Sequence, residues 1–299
     1  MRIPAGFAVG AATHTGRVRA SNEDDYLVLA PEGRCAAELL AAVADGLGGN
    51  AGGAEASRSA LRGFASASLS ATAASLREGL ELGFRGAGSR VAEQAAMVPG
   101  LAEMGTTLVA AAFSQRRVVV GHIGDSRAYL LRDGSWKKLT TDHAAASDRN
   151  QLTRCLGGGS EDEVPDVVEL ELQPGDRLVL CSDGIWGYVD ESRMREAAGS
   201  KAPSVAAERL VALSIESGGA DNATAIVVEV REAGEGDAAV DVELPREESF
   251  LYAELPRGER LGAPRWPVVA LVVSALVLVA VWLRAALGFD IFVWFRNLW

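Results

Sequence analysis

Four aspartates in this sequence stand beside or near glycine, at the end of an apolar run or in a turn: Asp45 in VADGLGG, Asp125 in GHIGDSRAYL, Asp183 in LCSDGIW and Asp221 in GGADNATAIVV. A further acidic group, Asn22-Glu23-Asp24-Asp25, comes just before YLVL. A carboxylate at a strand end next to glycine suits a hard cation, because the strand fixes its direction and glycine lets a backbone carbonyl turn into the same shell. Several such ends at one sheet edge would give an all-oxygen octahedral site, fit for magnesium or manganese rather than zinc. The glycines after Asp45 also raise a phosphate-cradling loop as an alternative. They lead to Ala54, Glu55 and Ala56 with no basic residue before Arg58, so the lysine and hydroxyl of a nucleotide loop are missing. A dinucleotide fingerprint would open a helix without a carboxylate in its tight turn. Taken alone, Asp45-Gly46 is an ordinary turn pair.

These acids can act together only if the chain positions them. Residues 118–139, VVVGHIGDSRAYLLRDGSWKKL, read as strand, turn, strand, an Asp-Gly turn and a short strand. DRLVLCSDG (176–184) is a strand running into a turn, and NATAIVVEV (222–230) is an outgoing β-branched strand. Helices are expected over 52–70, 75–97 and 203–217. In the second, Leu76, Leu80, Phe84, Val91 and Ala95 give an apolar face that Gly83, Gly86 and Gly88 weaken. In the third, Val205, Leu210, Val211 and Leu213 supply the buried face. Antiparallel strands with helices in separate blocks imply an α+β layered domain over residues 1–230, not a wound βαβ sheet.

At 299 residues and 48% hydrophobic, the chain has room for one large domain or two small ones. A formal net charge of −11 argues against nucleic acid as a partner. Cys35, Cys155 and Cys181 stand singly, so zinc-ribbon and dithiol motifs are excluded. None has an arginine six residues on, where Ala41, Glu161 and Gly187 stand, which excludes a cysteine-phosphatase loop. Buried, reduced thiols in a cytosolic domain are expected. The start, MRIPAGFAVGAA, lacks the sustained apolar core of a signal peptide.

The composition changes after residue 230. Residues 231–265 are charged and rich in Pro and Gly, as in a flexible linker. Residues 266–283, WPVVALVVSALVLVAVWL, carry no charge and are long enough for a bilayer-spanning helix, with Trp266 and Trp282 at its ends. The remainder, 284–299, is a short aromatic tail. Arg257, Arg260 and Arg265 precede the span and outnumber Arg284 and Arg296 after it, which places the N-terminal domain on the cytoplasmic side of a single-pass membrane protein.

The stretches RVRASNEDDY, VADGLGG, MGTTLVAA, HIGDSRAYLL, LTTDH, LTRCLG, LCSDGIW and GGADNATAIVV follow one another in the order expected of the metal-dependent protein phosphatase family (PPM, type 2C-like). Together they span residues 13–230, and the chain resembles the bacterial branch of that family, which is linked to reversing Ser/Thr kinases. The resemblance implies a four-layer αββα sandwich, two antiparallel sheets face to face with helices outside. It implies two Mn2+ or Mg2+ ions and a third, weaker one. Asp45 matches the carboxylate that bridges two metals, and the Gly46 carbonyl a ligand of one of them. Asp183 and Asp221 match ligands of the other, Glu23 a ligand acting directly or through water, and Asp125 a ligand of the third. Arg19 matches the phosphate-binding arginine, whose planar fork suits two phosphoryl oxygens.

The implied activity is hydrolysis of phosphoserine and phosphothreonine in proteins by a metal-activated water, without a protein nucleophile. The implied partners are phosphorylated proteins, a cognate Ser/Thr kinase or its targets, and the lipid bilayer. The chain also departs from the family. Leu47 stands where some members carry a histidine as general acid, and the helical flap usually found between positions matching Thr140 and Leu156 is nearly absent. Asp148 is a weak candidate for a second ligand of the third ion. Among His14, His122 and His143, none has ligand spacing with another; His122 packs in a strand and His143 lies near the site edge. The lost flap motivates an alternative, a non-catalytic phosphoprotein-binding regulator with the same fold; the retained carboxylates argue for the enzyme.

Overall fold

The apolar runs of this chain form strands with side chains buried on both faces, so they need a covering layer on each side. In chain order, β1 (Phe7–His14), β2 (Asp24–Leu29) and β3 (Leu39–Leu47) lead to helices α1 (Ala51–Ser70) and α2 (Leu76–Met97). Then come β4 (Gly105–Thr106), β5 (Leu108–Ser114), β6 (Arg117–Ile123), β7 (Arg127–Arg132) and β8 (Ser135–Lys138). Four short strands follow, β9 (Ala144–Ala145), β10 (Asp148–Leu152), β11 (Leu156–Gly157) and β12 (Asp166–Glu171), and then β13 (Arg177–Cys181). Helices α3 (Asp183–Trp186), α4 (Glu191–Ala198) and α5 (Pro203–Glu216) precede the closing strand β14 (Ala223–Val230).

This computed structural model describes residues 3–31, 33, 35–47, 51–70, 74–145, 148–158, 164–200 and 202–232. The expected linker beyond residue 232, the membrane span at 266–283 and the tail at 284–299 lie outside the described residues. Among the described residues no helix is long and apolar enough to cross a membrane.

Two antiparallel sheets carry the domain. One has the order β1-β14-β13-β7-β8; the other runs β11-β4-β3-β5-β6-β12, with β2 also paired to β3. The layer between them is apolar and takes alternate residues of each strand, such as Tyr26 and Val28, Ala41 and Val43, Leu178 and Leu180, Ile226 and Val228. Phe7 of the first sheet meets Phe113 of the second edge to face, at 5.6 Å between ring centroids. The opposite residues of β13 and β14 pack on α3, α4 and α5 through Ile185, Met194, Ala207 and Leu210. Helix α2 covers the other sheet so closely that a methyl on Gly121 would lie 2.9 Å from both Leu80 Cδ2 and Phe84 Cε2.

The expected α+β sandwich is present, and the three expected helices are α1, α2 and α5, each within one residue of the expected ends; α4 is an addition beyond those expected. Three local expectations change. The turn after β13 is the one-turn helix α3. Val205 is 52% exposed, and α5 instead buries Ala206 and Ala207. The reason is the helical period: Val205 stands five residues before Leu210, roughly 140° from it around α5, whereas Ala206 and Ala207 fall on the stripe that Leu210 and Leu213 continue. Cys181 is buried, but Cys35 and Cys155 are half-buried; all three are free.

The helix glycines that weaken α2 by propensity have a packing role. A methyl on Gly63 of α1 would lie 2.2 Å from the Gly86 carbonyl oxygen, and one on Gly86 would lie 2.4 Å from Ala67 Cβ. The crossing of α1 and α2 therefore requires both glycines. Gly63→Ala should destabilise the protein by roughly 1–3 kcal/mol in urea unfolding, because overpacking outweighs the roughly 1 kcal/mol of helix propensity gained. Gly52→Ala, whose added methyl meets nothing nearer than 3.7 Å, should stay within about 1 kcal/mol of the parent. Equal effects of the two substitutions would contradict the close crossing.

Candidate metal centre

At one end of the sandwich the layer between the sheets turns from apolar to polar. Continuing the inward-facing alternation past Tyr26, Val43, Val109, Ala128, Leu180 and Ile226 gives Asp24, Asp45, Thr107, Ser126, Ser182 and Thr224. The β2–β3 register sets Asp24 directly opposite Asp45. Asp24 is buried, and its Oδ2 accepts a hydrogen bond from Ser182 Oγ at 2.6 Å, while its Oδ1 is buried without a hydrogen-bond partner. Ser182 Oγ in turn accepts from Thr224 N at 3.1 Å, so this carboxylate is anchored to the facing sheet.

The backbone of Asp45 is held by the threonine pair of MGTTLVAA. Its carbonyl accepts from Thr106 Oγ1 (2.8 Å) and Thr107 N (2.9 Å), and its N–H donates to Thr107 Oγ1 (3.2 Å). Thr107 Oγ1 also bonds Ser126 Oγ at 2.7 Å, which ties the end of β3 to the turn carrying Asp125. Next to Asp45, Gly46 runs so close to α1 that a methyl there would lie 2.1 Å from the Gly53 carbonyl. A methyl on Gly53 would lie 2.7 Å from Glu23 Oε2 and 3.0 Å from the Gly46 carbonyl oxygen. Glycine at 46 and 53 thus lets a carboxylate and a carbonyl converge on one spot.

Asn222 joins the remaining loops. Its Oδ1 accepts from Glu23 N (2.9 Å), and its Nδ2 donates to the carbonyls of Thr15 (2.7 Å) and Ser21 (2.9 Å). Its own N–H donates to Asp221 Oδ1 at 2.9 Å. Arg19, on the loop between β1 and β2, donates to Asp221 Oδ2 at 2.9 Å and keeps its side chain 48% exposed. Tyr188, an exposed residue beyond α3, stands near enough that Asp221 and Asp183 add to the upward push that burial gives its phenol.

The electrostatics show that these acids share one site. Burial first, then Asp183 and Asp221, push the Asp24 carboxyl up to about 7. Burial and then Asp183 push Asp125 up to about 7. Asp45 is driven well above the carboxylate range by burial, then by Asp24, Asp183 and Asp125. Asp183, the first residue of α3, is raised by burial and then Asp221, and it lies within hydrogen-bond reach of Asp45. Glu23 is raised by burial, with Arg19 opposing. Such crowding of anions is unfavourable unless cations neutralise it. Together with the orphaned Asp24 oxygen and the all-oxygen donor set, it fits hard divalent ions.

Every expected residue, Arg19, Glu23, Asp45, Gly46, Asp125, Asp183 and Asp221, is brought to this end of the sandwich. Asp148 begins β10, but its side chain falls outside the described residues. Sequence spacing misses the roles of Asp24, Asn222, Ser182 and Thr107. Asp24 could have been found from parity, since it falls in step with the inward residues Tyr26 and Val28.

Sequence spacing also separates the histidines, yet His122 and His143 stack at 4.7 Å and 15°. Ligand atoms of His122, His143 and Asp166 lie within 4.8 Å of one another. This cluster does not suit a cation as it stands. The fixed Gly124 N–H donates to His143 Nδ1 (3.1 Å), so that nitrogen is already engaged. The Arg154 guanidinium already supplies the positive charge, with Nη1 at 3.0 Å from His143 Nε2 and at 2.7 Å from Asp166 Oδ1.

A family model described as protein phosphatase 2C matches residues 14–214. The chain is 33% identical over 246 residues to the serine/threonine protein phosphatase PstP of Mycobacterium tuberculosis; the match covers 77% of this chain and 46% of that protein's length. It is 34% identical over 239 residues to the serine/threonine phosphatase stp of Listeria monocytogenes, covering 73% of this chain and 93% of that one. Among solved structures, the catalytic domain of PstP in complex with two manganese ions is 33% identical, with a TM-score of 0.66 over 76% of this chain and 99% of that one.

The raised carboxyls have a consequence for stability. Asp24 and Asp125 sit near 7 when folded, against an ordinary value of about 4. Between those values the folded chain holds protons that the unfolded chain releases, so stability falls as pH rises through that window. The melting temperature of chelated full-length protein should therefore drop from about pH 5 to about pH 8, and saturating Mn2+ should flatten or reverse the slope. A flat profile in chelator would contradict the crowded-carboxylate reading.

Proposed function

The chain belongs to the protein phosphatase 2C family, and from that premise we propose that it is a metal-dependent protein-serine/threonine phosphatase tethered to a membrane and facing the cytoplasm. The observation that carries this reading is the convergence of Asp45, Asp183, Asp221, Asp125 and Glu23 around Asp24 at one sheet edge, with Arg19 on its rim. Asp45, the Gly46 carbonyl, Asp183, Asp221 and Glu23 would hold two Mn2+ or Mg2+ ions, and Asp125 would serve a third. Those ions, when bound, supply an acidified water and neutralise charge on the phosphoryl group.

The chain's own groups do the positioning. The Arg19 guanidinium, half exposed beside Asp221, offers its fork to two phosphoryl oxygens and so orients the phosphate over the acids. Thr106, Thr107 and Ser126 keep Asp45 and Asp125 at a fixed separation, so the developing charge meets preorganised partners. Asn222 holds the backbone ahead of Glu23 and caps Asp221, which joins the phosphate side of the site to the cation side.

Substrates are proteins phosphorylated on serine or threonine, including a cognate kinase or its targets. Support for the tether is the uncharged stretch 266–283 with tryptophan at both ends. The charged segment 231–265 before it would act as a flexible leash of about 30 Å reach, from about 5–6 Å times the square root of its length.

Full-length chain in detergent should release phosphate from a phosphothreonine peptide with Mn2+ and not with EDTA. Asp45→Asn and Asp183→Asn should each lower kcat by about 100-fold or more, roughly 2.7 kcal/mol of lost transition-state stabilisation, with unchanged circular dichroism. Peptide binding without metal-dependent release in the parent protein would favour the regulator instead.

Tethering makes a separate prediction. Deleting residues 236–299 should leave peptide hydrolysis nearly intact while slowing dephosphorylation of a phosphoprotein anchored in the same membrane, because the leash raises local concentration. Equal rates of the two forms on that membrane substrate would remove the case for selectivity by location.

A further inference from the structure

His143 grips the peptide unit just before Asp125 at two points. Its backbone N–H donates to the Gly124 carbonyl at 3.0 Å, and its Nδ1 accepts the Gly124 N–H at 3.1 Å. Gly124 needs such support. It has φ +103°, and a methyl there would lie 2.6 Å from Thr107 Cγ2, so the turn is both left-handed and tightly packed.

The grip works in one tautomer only. Nδ1 must present its lone pair, so the ring proton belongs on Nε2, where Asp166 Oδ2 at 3.4 Å can accept it while the Arg154 Nη1 donor at 3.0 Å opposes it. Arg154 holds Asp166 in that place through Nη1 to Oδ1 at 2.7 Å, and it also donates to the Val164 carbonyl. On its flat side the ring stacks on His122, whose Nε2 donates to the Thr141 carbonyl at 2.8 Å. A chain of contacts thus runs from Asp166 and Arg154 through the imidazole to the turn of Asp125. Burial, then His122 and Arg154, hold the ring on the neutral side against Asp166, which leaves one ring nitrogen able to accept.

We propose that His143 is a positioning residue for Asp125, and that Asp166 acts by favouring the imidazole tautomer that binds Gly124. The cation held by Asp125 would then depend on a network beyond the acidic cluster itself. This rests on the proposed function only in assigning a cation to Asp125; the grip on Gly124 stands apart from it.

The test uses full-length protein and three substitutions. His143→Phe keeps a flat ring for stacking but removes the acceptor. His143→Asn restores an acceptor without the ring. Asp166→Asn, at a half-exposed side chain, removes the negative charge facing Nε2 without touching the turn. Two measurements are made: amide hydrogen exchange over residues 120–127 in chelated protein, and Mn2+ titration followed by the paramagnetic resonance of the free ion.

His143→Phe should speed exchange at Gly124 and weaken the weakest Mn2+ site roughly 10-fold or more, leaving the tighter sites in place. His143→Asn should recover part of both effects, and Asp166→Asn should give a smaller change in the same direction. Unchanged exchange and an unchanged Mn2+ isotherm in His143→Phe would overturn the proposal. So would equal weakening of every site, which would mark general damage to the fold. Failure of the functional reading looks different: the parent protein would bind no Mn2+ and release no phosphate, while exchange at Gly124 still reported the grip.

Discussion

Asp24 and Asp45 face each other across one antiparallel strand pair, and both project into the space between two sheets. Two carboxylates so placed repel, and burial makes each charge harder to hold. Asp183, Asp125 and Asp221 add to the same crowding. The fold must keep this arrangement against its own electrostatics. It does so with the apolar layer deeper in the sandwich, where alternate residues of the same strands are buried without polar groups. The site and the core are therefore successive stretches of one interface. Functional geometry is drawn from strands whose positions the core has already fixed, which is how a strained cluster persists in a marginally stable protein.

Close backbone approach is the second device. Gly46 and Gly53 let β3 and α1 meet where Glu23 and a carbonyl converge. Gly184 brings α3 against Asn222, where a methyl would lie 1.8 Å from the Asn222 carbonyl oxygen. Gly16 does the same for the loop beside Asp221, where a methyl would lie 2.3 Å from the Asp221 carbonyl oxygen. The same logic brings α1 against α2 at Gly63 and Gly86, far from the acids. At Gly46, Gly53, Gly184, Gly63 and Gly86 glycine is chosen for the absence of a side chain, while Gly16 also needs the freedom of φ, at +86°.

Legibility in the sequence follows from this distinction. The three long helices are legible because periodicity is local, and their ends fall within a residue of expectation, whereas the short α3 and α4 offer too few turns to show a period. Asp45, Asp125, Asp183 and Asp221 were readable because each stands near glycine at a chain reversal. Asp24 is indistinguishable from its acidic neighbours in the sequence, since neighbours point to opposite faces of a strand and parity needs the register. The stacking of His122 on His143 joins positions whose spacing fits no local motif. Gly86 reads as a weak point because propensity is a property of one helix, whereas its reason lies in the crossing of α2 with α1 at Gly63. Val205 is apolar but lies off the helical stripe of Leu210 and Leu213, which Ala206 and Ala207 continue.

Register is the quantity on which all of this depends. In β2, Tyr26 and Val28 face the inter-sheet layer, and Asp24 follows in step. A slip of one residue against β3 would turn Asp25 and Leu27 inward and carry Asp24 away from Asp45. The slip is prevented at one end of the strand and along its length. At one end, Gly46 N donates to the Glu23 carbonyl at 3.1 Å and Asn222 holds Glu23 N. Along the rest, Leu27 is buried on the face opposite Tyr26, so neither face of the strand can be exchanged without exposing apolar surface or burying Asp25. The hydrophobic pattern of β2 thus specifies which carboxylate meets Asp45. An acid cluster with little intrinsic stability inherits its precision from residues that never touch it.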